Sequence, residues 1–167
     1  MSSGMEIERK FLVHKQIGFK HLASSSSHIR QGYIRAEGAT VRIRIRDDKG
    51  YLTIKGPSAN GGMSRYEFEK EISLDEANHL MELCGPGQID KTRYLVPVGK
   101  HVFEVDEFHG DNEGLVMAEV ELQSEDEVYE CPDFLGMEVT GDRRFYNSHL
   151  RKYPFFIWRT SLPEEYR

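Results

Sequence analysis

Alternation with a period of two residues is the feature that most narrows what this chain can become. In TVRIRIRD, Arg42, Arg44 and Arg46 fall on one face and Val41, Ile43 and Ile45 on the other. A strand sends successive side chains to opposite sides, so this segment is a strand with one apolar and one charged face. The design recurs in MEIERKFLV, where Glu6, Glu8 and Lys10 oppose Met5, Ile7 and Phe11, with Arg9 among the latter. It recurs again in YLTIK (Thr53, Lys55), SRYEFEKEI (Arg65, Glu67, Glu69, Glu71), VFEVDEF (Glu104, Asp106) and MAEVEL (Glu119, Glu121).

For one such strand, a half-exposed sheet with its charges in water is a sufficient explanation. Six of them strain it. Solvent faces usually mix in Thr, Ser, Gln and Lys, whereas these are nearly pure Glu or pure Arg. Like charges facing each other across a ladder are destabilising, and Glu6 and Glu8 sit only about 6.6 Å apart along one strand. The alternative packs the apolar faces against surrounding helices and turns the charged faces into a central cavity. Enclosing those charges dry costs too much. A wet tunnel that binds a metal ion and a highly charged anion removes the objection. Guanidinium groups match phosphate oxygens two at a time, and clustered carboxylates suit Mg²⁺ or Mn²⁺. The expected ligand is a metal–phosphate complex, a nucleotide or a polyphosphate.

The remaining segments fit the same plan. RQGYIRA, IDKTRYLVPV, KHVFEVDEF and GLVMAEVELQ read as strands separated by turns such as DDKG and PSANGG. SLDEANHLMELC reads as a helix capped by Ser73 or Asp75, with Ala77, Leu80, Met81 and Cys84 as its apolar stripe. DRRFYNSHLRKY reads as a second helix after a PDFLGMEVTG link, and HKQIGFKHLASSSSHI as a short helix or loop in which Ser24–Ser27 turn. Residues 1–4 are taken as a tail without a structural role, and SLPEEYR as a mobile end. About eight strands with no βαβ rhythm predict an α+β, mainly antiparallel β fold: an eight-stranded closed tunnel-like barrel with flanking helices. The 167 residues fit one domain, 1–167.

Composition excludes several functions. Twenty-two basic against 28 acidic residues leave a net charge of −6, unlike a nucleic-acid binder, which needs a basic surface. No apolar run approaches a membrane span and no signal-peptide pattern opens the chain. Cys84 and Cys131 stand alone, which suits a reducing cytoplasm better than a disulfide or zinc framework. His14, His21 and His28 recur every seven residues without a carboxylate pattern and read as surface residues. The aromatic run YPFFIWRT, with Phe155, Phe156 and Trp158, reads as packing on the barrel's outer wall, with a homodimer contact as the alternative.

Taken in order, these motifs resemble the CYTH superfamily, the triphosphate tunnel metalloenzymes. The resemblance rests on Glu6-x-Glu8-x-Lys10, VRIR, LTIK, RYEFE, KTR with Lys91 and Arg93, FEVDEF, AEVEL and EVTGDRRFYN with Arg143 and Arg144. It implies an eight-stranded tunnel that hydrolyses or rearranges triphosphates with Mg²⁺ or Mn²⁺. It further implies that Glu6, Glu8, Glu119 and Glu121 hold the metal, with Glu104 at a second metal position. Lys10, Arg42, Arg44, Lys55, Arg65, Arg93 and Arg143 or Arg144 would grip phosphate, and Tyr33 would close over the ligand. Glu67, Glu69, Asp106 and Lys91 would be catalytic, the acids by completing the second metal position or orienting water. Inorganic triphosphate is the favoured small-molecule substrate. A class IV adenylyl cyclase, a nucleoside or thiamine triphosphatase and a noncatalytic polyphosphate binder are the alternatives, since all share these charges.

Overall fold

The structure, a computed structural model, describes residues 3–167. It contains nine strands: β1 (Ser3–Val13), β2 (Ser25–Ile34), β3 (Thr40–Arg46), β4 (Lys49–Lys55), β5 (Ser64–Ile72), β6 (Ile89–Val98), β7 (His101–Phe108), β8 (Val116–Leu122) and β9 (Leu135–Glu138). All pair antiparallel in the order β5-β4-β3-β2-β6-β7-β8-β1, and β5 also pairs with β1, which closes an eight-stranded barrel. The ninth strand is a short spur on β1.

The first strand can serve three neighbours because it is long. One edge runs along β8 from Ile7 to Leu12. The other is passed from β5 (Ser3–Ile7) to β9 (Phe11 and Val13). In the gap between them, Glu8 N–H donates to the Met63 carbonyl at 3.0 Å and Lys10 N–H to Thr140 Oγ1 at 3.0 Å. No stretch of this edge is left to water, so Glu8 and Lys10 are held rigidly facing inward.

Helix α1 (Leu74–Glu82) covers β3 and β4. Ser73 and Glu76 form a reciprocal cap: Glu76 N–H donates to Ser73 Oγ at 3.0 Å and Ser73 N–H to Glu76 Oε1 at 2.9 Å. Ala77 and Met81 then bury against Ile43 and Ile45, with Leu80 and Cys84 beside them, as their spacing predicts. The helix lies so close that a Cβ on Gly32 of β2 would stand 2.8 Å from the Cys84 Cβ. The outer faces of β6, β7 and β8 are covered by Phe19, Tyr94, Phe134 and Tyr129.

Several expectations are corrected. Ser3 and Gly4 open β1 opposite Phe68 and Glu67, so they are strand and not tail; Met1 and Ser2 lie outside the described residues. Ser25–Ser27 belong to β2, extended by pairing with Leu95, Tyr94 and Arg93, which overrides the turn preference of serine. The link before the last segment contains β9. DRRFYNSHLRKY is not one helix: a tight turn at Arg143–Phe145 precedes α2 (Asn147–Leu150), and α3 (Phe155–Trp158) follows. Asp142 caps that turn by accepting the Arg144 N–H, and the extended backbone of Tyr146 separates the turn from α2. The chain end is anchored too: Leu162 and Tyr166 are buried, and Met137 N–H donates to the Tyr166 hydroxyl at 3.1 Å. Among the described residues no helix is long and apolar enough to cross a membrane.

The barrel interior changes character along its axis. Inward positions near one end are charged, whereas further along the same strands they become Leu12, Ile89, Phe108 and Met117. These join Leu115, Val139, Phe145, Leu150 and Phe155 in one buried cluster, with Trp158 against it. The C-terminal segment therefore stoppers one end of the barrel. It is locked by a crossing of two backbones: Gly62 and Gly141, both at positive φ, approach so closely that a Cβ on Gly62 would lie 2.4 Å from Gly141 Cα. Phe155 and Trp158 thus pack into the stopper and not on the barrel's outer wall, and Phe156, expected to pack with them, remains exposed beside Tyr153 and Ile157.

Candidate active site

The charged half of the interior is a cavity of about 360 Å³. Eight carboxylates and eight basic side chains line it, and they are sorted. Following the closed order of strands, β7, β8, β1 and β5 are contiguous and supply Glu104, Glu119, Glu121, Glu6, Glu8, Glu67, Glu69 and Glu71. The other contiguous run, β4, β3, β2 and β6, supplies Lys55, Arg42, Arg44, Arg46, Lys91 and Arg93. Lys10 and Arg65 are the two cations set into the acidic half.

The seams between the halves are ion-paired. At one, Lys55 Nζ lies 3.0 Å from Glu6 and 3.3 Å from Glu67. At the other, Arg93 donates to Asp106 at 2.8 and 2.9 Å and to Glu104 at 2.7 Å. Lys91 Nζ completes that buried knot with bonds of 2.7 Å to Asp106 and 3.0 Å to Asn147. Burial opposes every charge in it. The Asp106 carboxyl is nevertheless brought down to about 2 by Arg93 and Lys91, and Asp106 and Glu104 hold Arg93 well above its ordinary range. For Lys91, burial wins over Asp106 and pulls the ammonium down to about 7.

Inside the acidic half the balance differs. Glu8 faces Glu121 across the ladder, and Glu104 faces Glu119. Burial, then the charges of Glu119 and Glu6, push the Glu8 carboxyl well above the usual carboxylate range. Burial would raise Glu119 as well, but Lys10, Arg93 and a hydrogen bond from Glu8 hold it well below that range. Glu8 and Glu119 thus share one hydrogen bond between two carboxyl groups, with Glu8 shifted up and Glu119 shifted down. Glu121 is also raised, by burial and by Glu6 and Glu104. Lys10 Nζ stands 3.6 Å from Glu119.

In the basic half, Arg44 is fully enclosed, and burial with the Arg42 and Arg93 charges pulls it down to about 9. Arg42 donates to Thr53 Oγ1 at 3.1 Å and lies 3.6 Å from Glu69, yet its buried Nε has no hydrogen-bond partner. A buried orphan donor beside crowded cations is chemistry that an anion would satisfy.

Of the anticipated site residues, Glu6, Glu8, Lys10, Tyr33, Arg42, Arg44, Lys55, Arg65, Glu67, Glu69, Lys91, Arg93, Glu104, Glu119 and Glu121 line this one cavity. Three do not. Asp106 is buried in the wall beneath Lys91 and Arg93, where it neutralises them and faces no ligand. Arg143 is exposed, and Arg144 pairs with Asp142 at 2.7 Å while stacking near Phe145 and Trp158; neither is among the lining residues. Their turn carries the arginines outward because it presents its backbone to the cavity instead: Lys10 Nζ donates to the Phe145 carbonyl at 3.3 Å. The lining residues not anticipated include Tyr146, Asn147 and Ser148 from the same segment, and Tyr146 sets its ring 5.2 Å from Lys10 and 5.5 Å from Arg65. Arg46, Tyr51 and Glu71 also line the cavity, and their inward phase was visible in the alternation. The surface histidines find distant carboxylates: His14 pairs with Glu165 at 2.9 Å and His28 with Asp90 at 2.7 Å.

Comparison with known proteins agrees with this geometry. A family model described as the CYTH domain matches residues 4–146. The inorganic triphosphatase of Acetivibrio thermocellus is 49% identical over 154 residues, which cover 91% of this chain and 96% of that protein. The inorganic triphosphatase of Nitrosomonas europaea is 34% identical over 151 residues, or 87% and 95% of the two chains. The crystal structure of an inorganic triphosphatase superposes with a TM-score of 0.61 at 30% identity, over 87% of this chain and 97% of the other. With all but three of the anticipated residues converging on one barrel interior and the family's model spanning nearly the whole barrel, the chain belongs to the CYTH domain family.

Proposed function

We propose that this protein is a divalent-metal-dependent triphosphatase whose substrate is inorganic triphosphate. The observation that carries the reading is the sorted cavity: a wall of carboxylates crowded enough to push Glu8 up, facing a wall of guanidinium groups with an orphaned donor. The relatives named as inorganic triphosphatases support it from outside the structure.

The donor set fits a hard cation. Among the described residues no three acidic, histidine or cysteine groups are already gathered around a metal-sized gap. Instead the carboxylates are held by ammonium groups, Lys55 on Glu6 and Lys10 near Glu119. Glu6, Glu8, Glu119 and Glu121 would hold Mg²⁺ or Mn²⁺, with Glu104 at a second position. Bound there, the metal would neutralise charge building on the phosphate oxygens.

The chain's own groups then act in an exchange of partners. Lys10 and Lys55 turn from carboxylates to phosphate, while Arg42, Arg44, Arg65 and Arg93 fix the oxygens in register. Phosphoryl transfer asks for this kind of positioning and charge compensation more than for covalent chemistry. Glu67 and Glu69 orient the attacking water. Lys91, near neutrality at the stoppered end, can hand a proton to a departing oxygen. Two unpaired cysteines suit a cytoplasmic setting for this reaction.

The test is phosphate release from tripolyphosphate, ATP and thiamine triphosphate, each with Mg²⁺, Mn²⁺ or EDTA, alongside a cyclic AMP readout. Rapid metal-dependent release from tripolyphosphate is expected. Cyclic AMP with pyrophosphate would make the protein a cyclase, and metal-dependent binding without turnover of any of the three would make it a binder.

A further inference from the structure

Gln31 is a neutral amide set among the strands of the basic half, and its side chain is wholly enclosed, with 0% exposure. It lies on β2 directly opposite Arg44 of β3. Its Oε1 accepts from Arg44 Nε at 2.9 Å, and its Nε2 donates to the Tyr33 hydroxyl at 2.7 Å.

This orientation is dictated by chemistry. A guanidinium can only donate, so the amide oxygen must face Arg44 and the amide NH₂ must face Tyr33. The Tyr33 oxygen is therefore an acceptor in that contact, and its own proton has to leave in another direction. Tyr33 lines the cavity, and Arg151 lies over its ring at 5.5 Å and holds the ring in place. The contact uses Arg44 through Nε alone, so its two terminal nitrogens are not consumed by Gln31.

We propose that Gln31 is a positioning residue: by accepting from Arg44 and donating to Tyr33, it turns the Tyr33 hydroxyl proton toward the phosphoryl oxygens of the substrate. The inference rests on the triphosphatase reading and deepens it. A carboxylate of the same shape at this position would still satisfy Arg44 but would accept from Tyr33, reversing the hydroxyl and removing its proton from the cavity. An aliphatic chain of similar length would leave Tyr33 undirected.

A double-mutant cycle tests this, with kcat and KM for tripolyphosphate measured with Mg²⁺ in wild type, Gln31→Glu, Tyr33→Phe and the double variant. Gln31→Glu is expected to lower kcat at least about tenfold, to change KM less than about threefold, and to lower kcat by less than about threefold once Tyr33 is Phe. The added negative charge acts in both backgrounds, so only the difference between them reports the hydroxyl. If Gln31→Glu melts more than about 10 °C below wild type, Gln31→Met carries the same cycle without a buried charge. Equal factors in the two backgrounds, with normal wild-type turnover, would overturn the positioning role and leave the triphosphatase reading standing. Absence of wild-type turnover on tripolyphosphate would overturn that reading, and the positioning role with it.

Discussion

The two halves of the cavity, eight carboxylates with Lys10 and Arg65 set among them against six cations, solve the problem of burying charge in opposite ways. In the basic half three inward cations face groups that can accept from them: Arg93 faces Asp106, Arg44 faces Gln31 and Tyr51, and Arg42 faces Tyr33 and Thr53. In the acidic half two carboxylate pairs face each other directly, Glu8 with Glu121 and Glu104 with Glu119. Lysines hold that arrangement together, Lys10 beside Glu119 and Lys55 beside Glu6. One wall is pre-organised as a template for an anion. The other is built to gain from a cation, and the lesson is that stability and ligand demand are assigned to different strands.

That contrast is open to experiment. The largest effect is expected for Glu119→Ala, which should reduce tripolyphosphate turnover at least about a hundredfold. In EDTA its melting temperature should stay within about 4 °C of wild type, because the carboxylate removed is also a source of repulsion. A collapse in stability there would erase the difference between the halves. Asp106→Asn should behave in the reverse order. It leaves Lys91 buried without its counter-charge and Arg93 with Glu104 alone, so urea denaturation should show a loss of roughly 3–5 kcal/mol.

The acid response sharpens the same point. The Asp106 carboxyl is lowered to about 2 in the fold, so its contribution is present above the unfolded carboxylate range and is lost as pH falls from about 4 through 2. Roughly 2 kcal/mol of wild-type stability should disappear across that window, and Asp106→Asn should lack this component in paired urea titrations. The smallest effect belongs to Arg144→Ala. A half-exposed ion pair with Asp142 contributes at most about 1 kcal/mol, and turnover should change less than about twofold. A large loss of turnover would return Arg144 to the substrate.

How much of this was legible in the residues depended on how local the cause was. The alternation of β3 and β8 exposed both the barrel strands and their inward charges, because a period of two is set by the backbone alone. The cap at Ser73–Glu76 was equally local. The stopper was not. Leu12, Ile89, Phe108 and Met117 share the inward phase of the charged residues, but only closure of the barrel shows that they meet Phe145 and Leu150. For the same reason Arg143 and Arg144 drew notice as cations near a family motif, whereas the cavity takes Tyr146, Asn147 and Ser148 from the turn that follows. Asp106 was visible as an inward acid. Its burial under two cations depends on the register between β6 and β7, which no single strand encodes.

The stopper also fixes the traffic through the molecule. With Leu12, Ile89, Phe108 and Met117 packed under the C-terminal segment, one mouth must serve for both arrival and departure. Anything that enters the charged half leaves by the door through which it came.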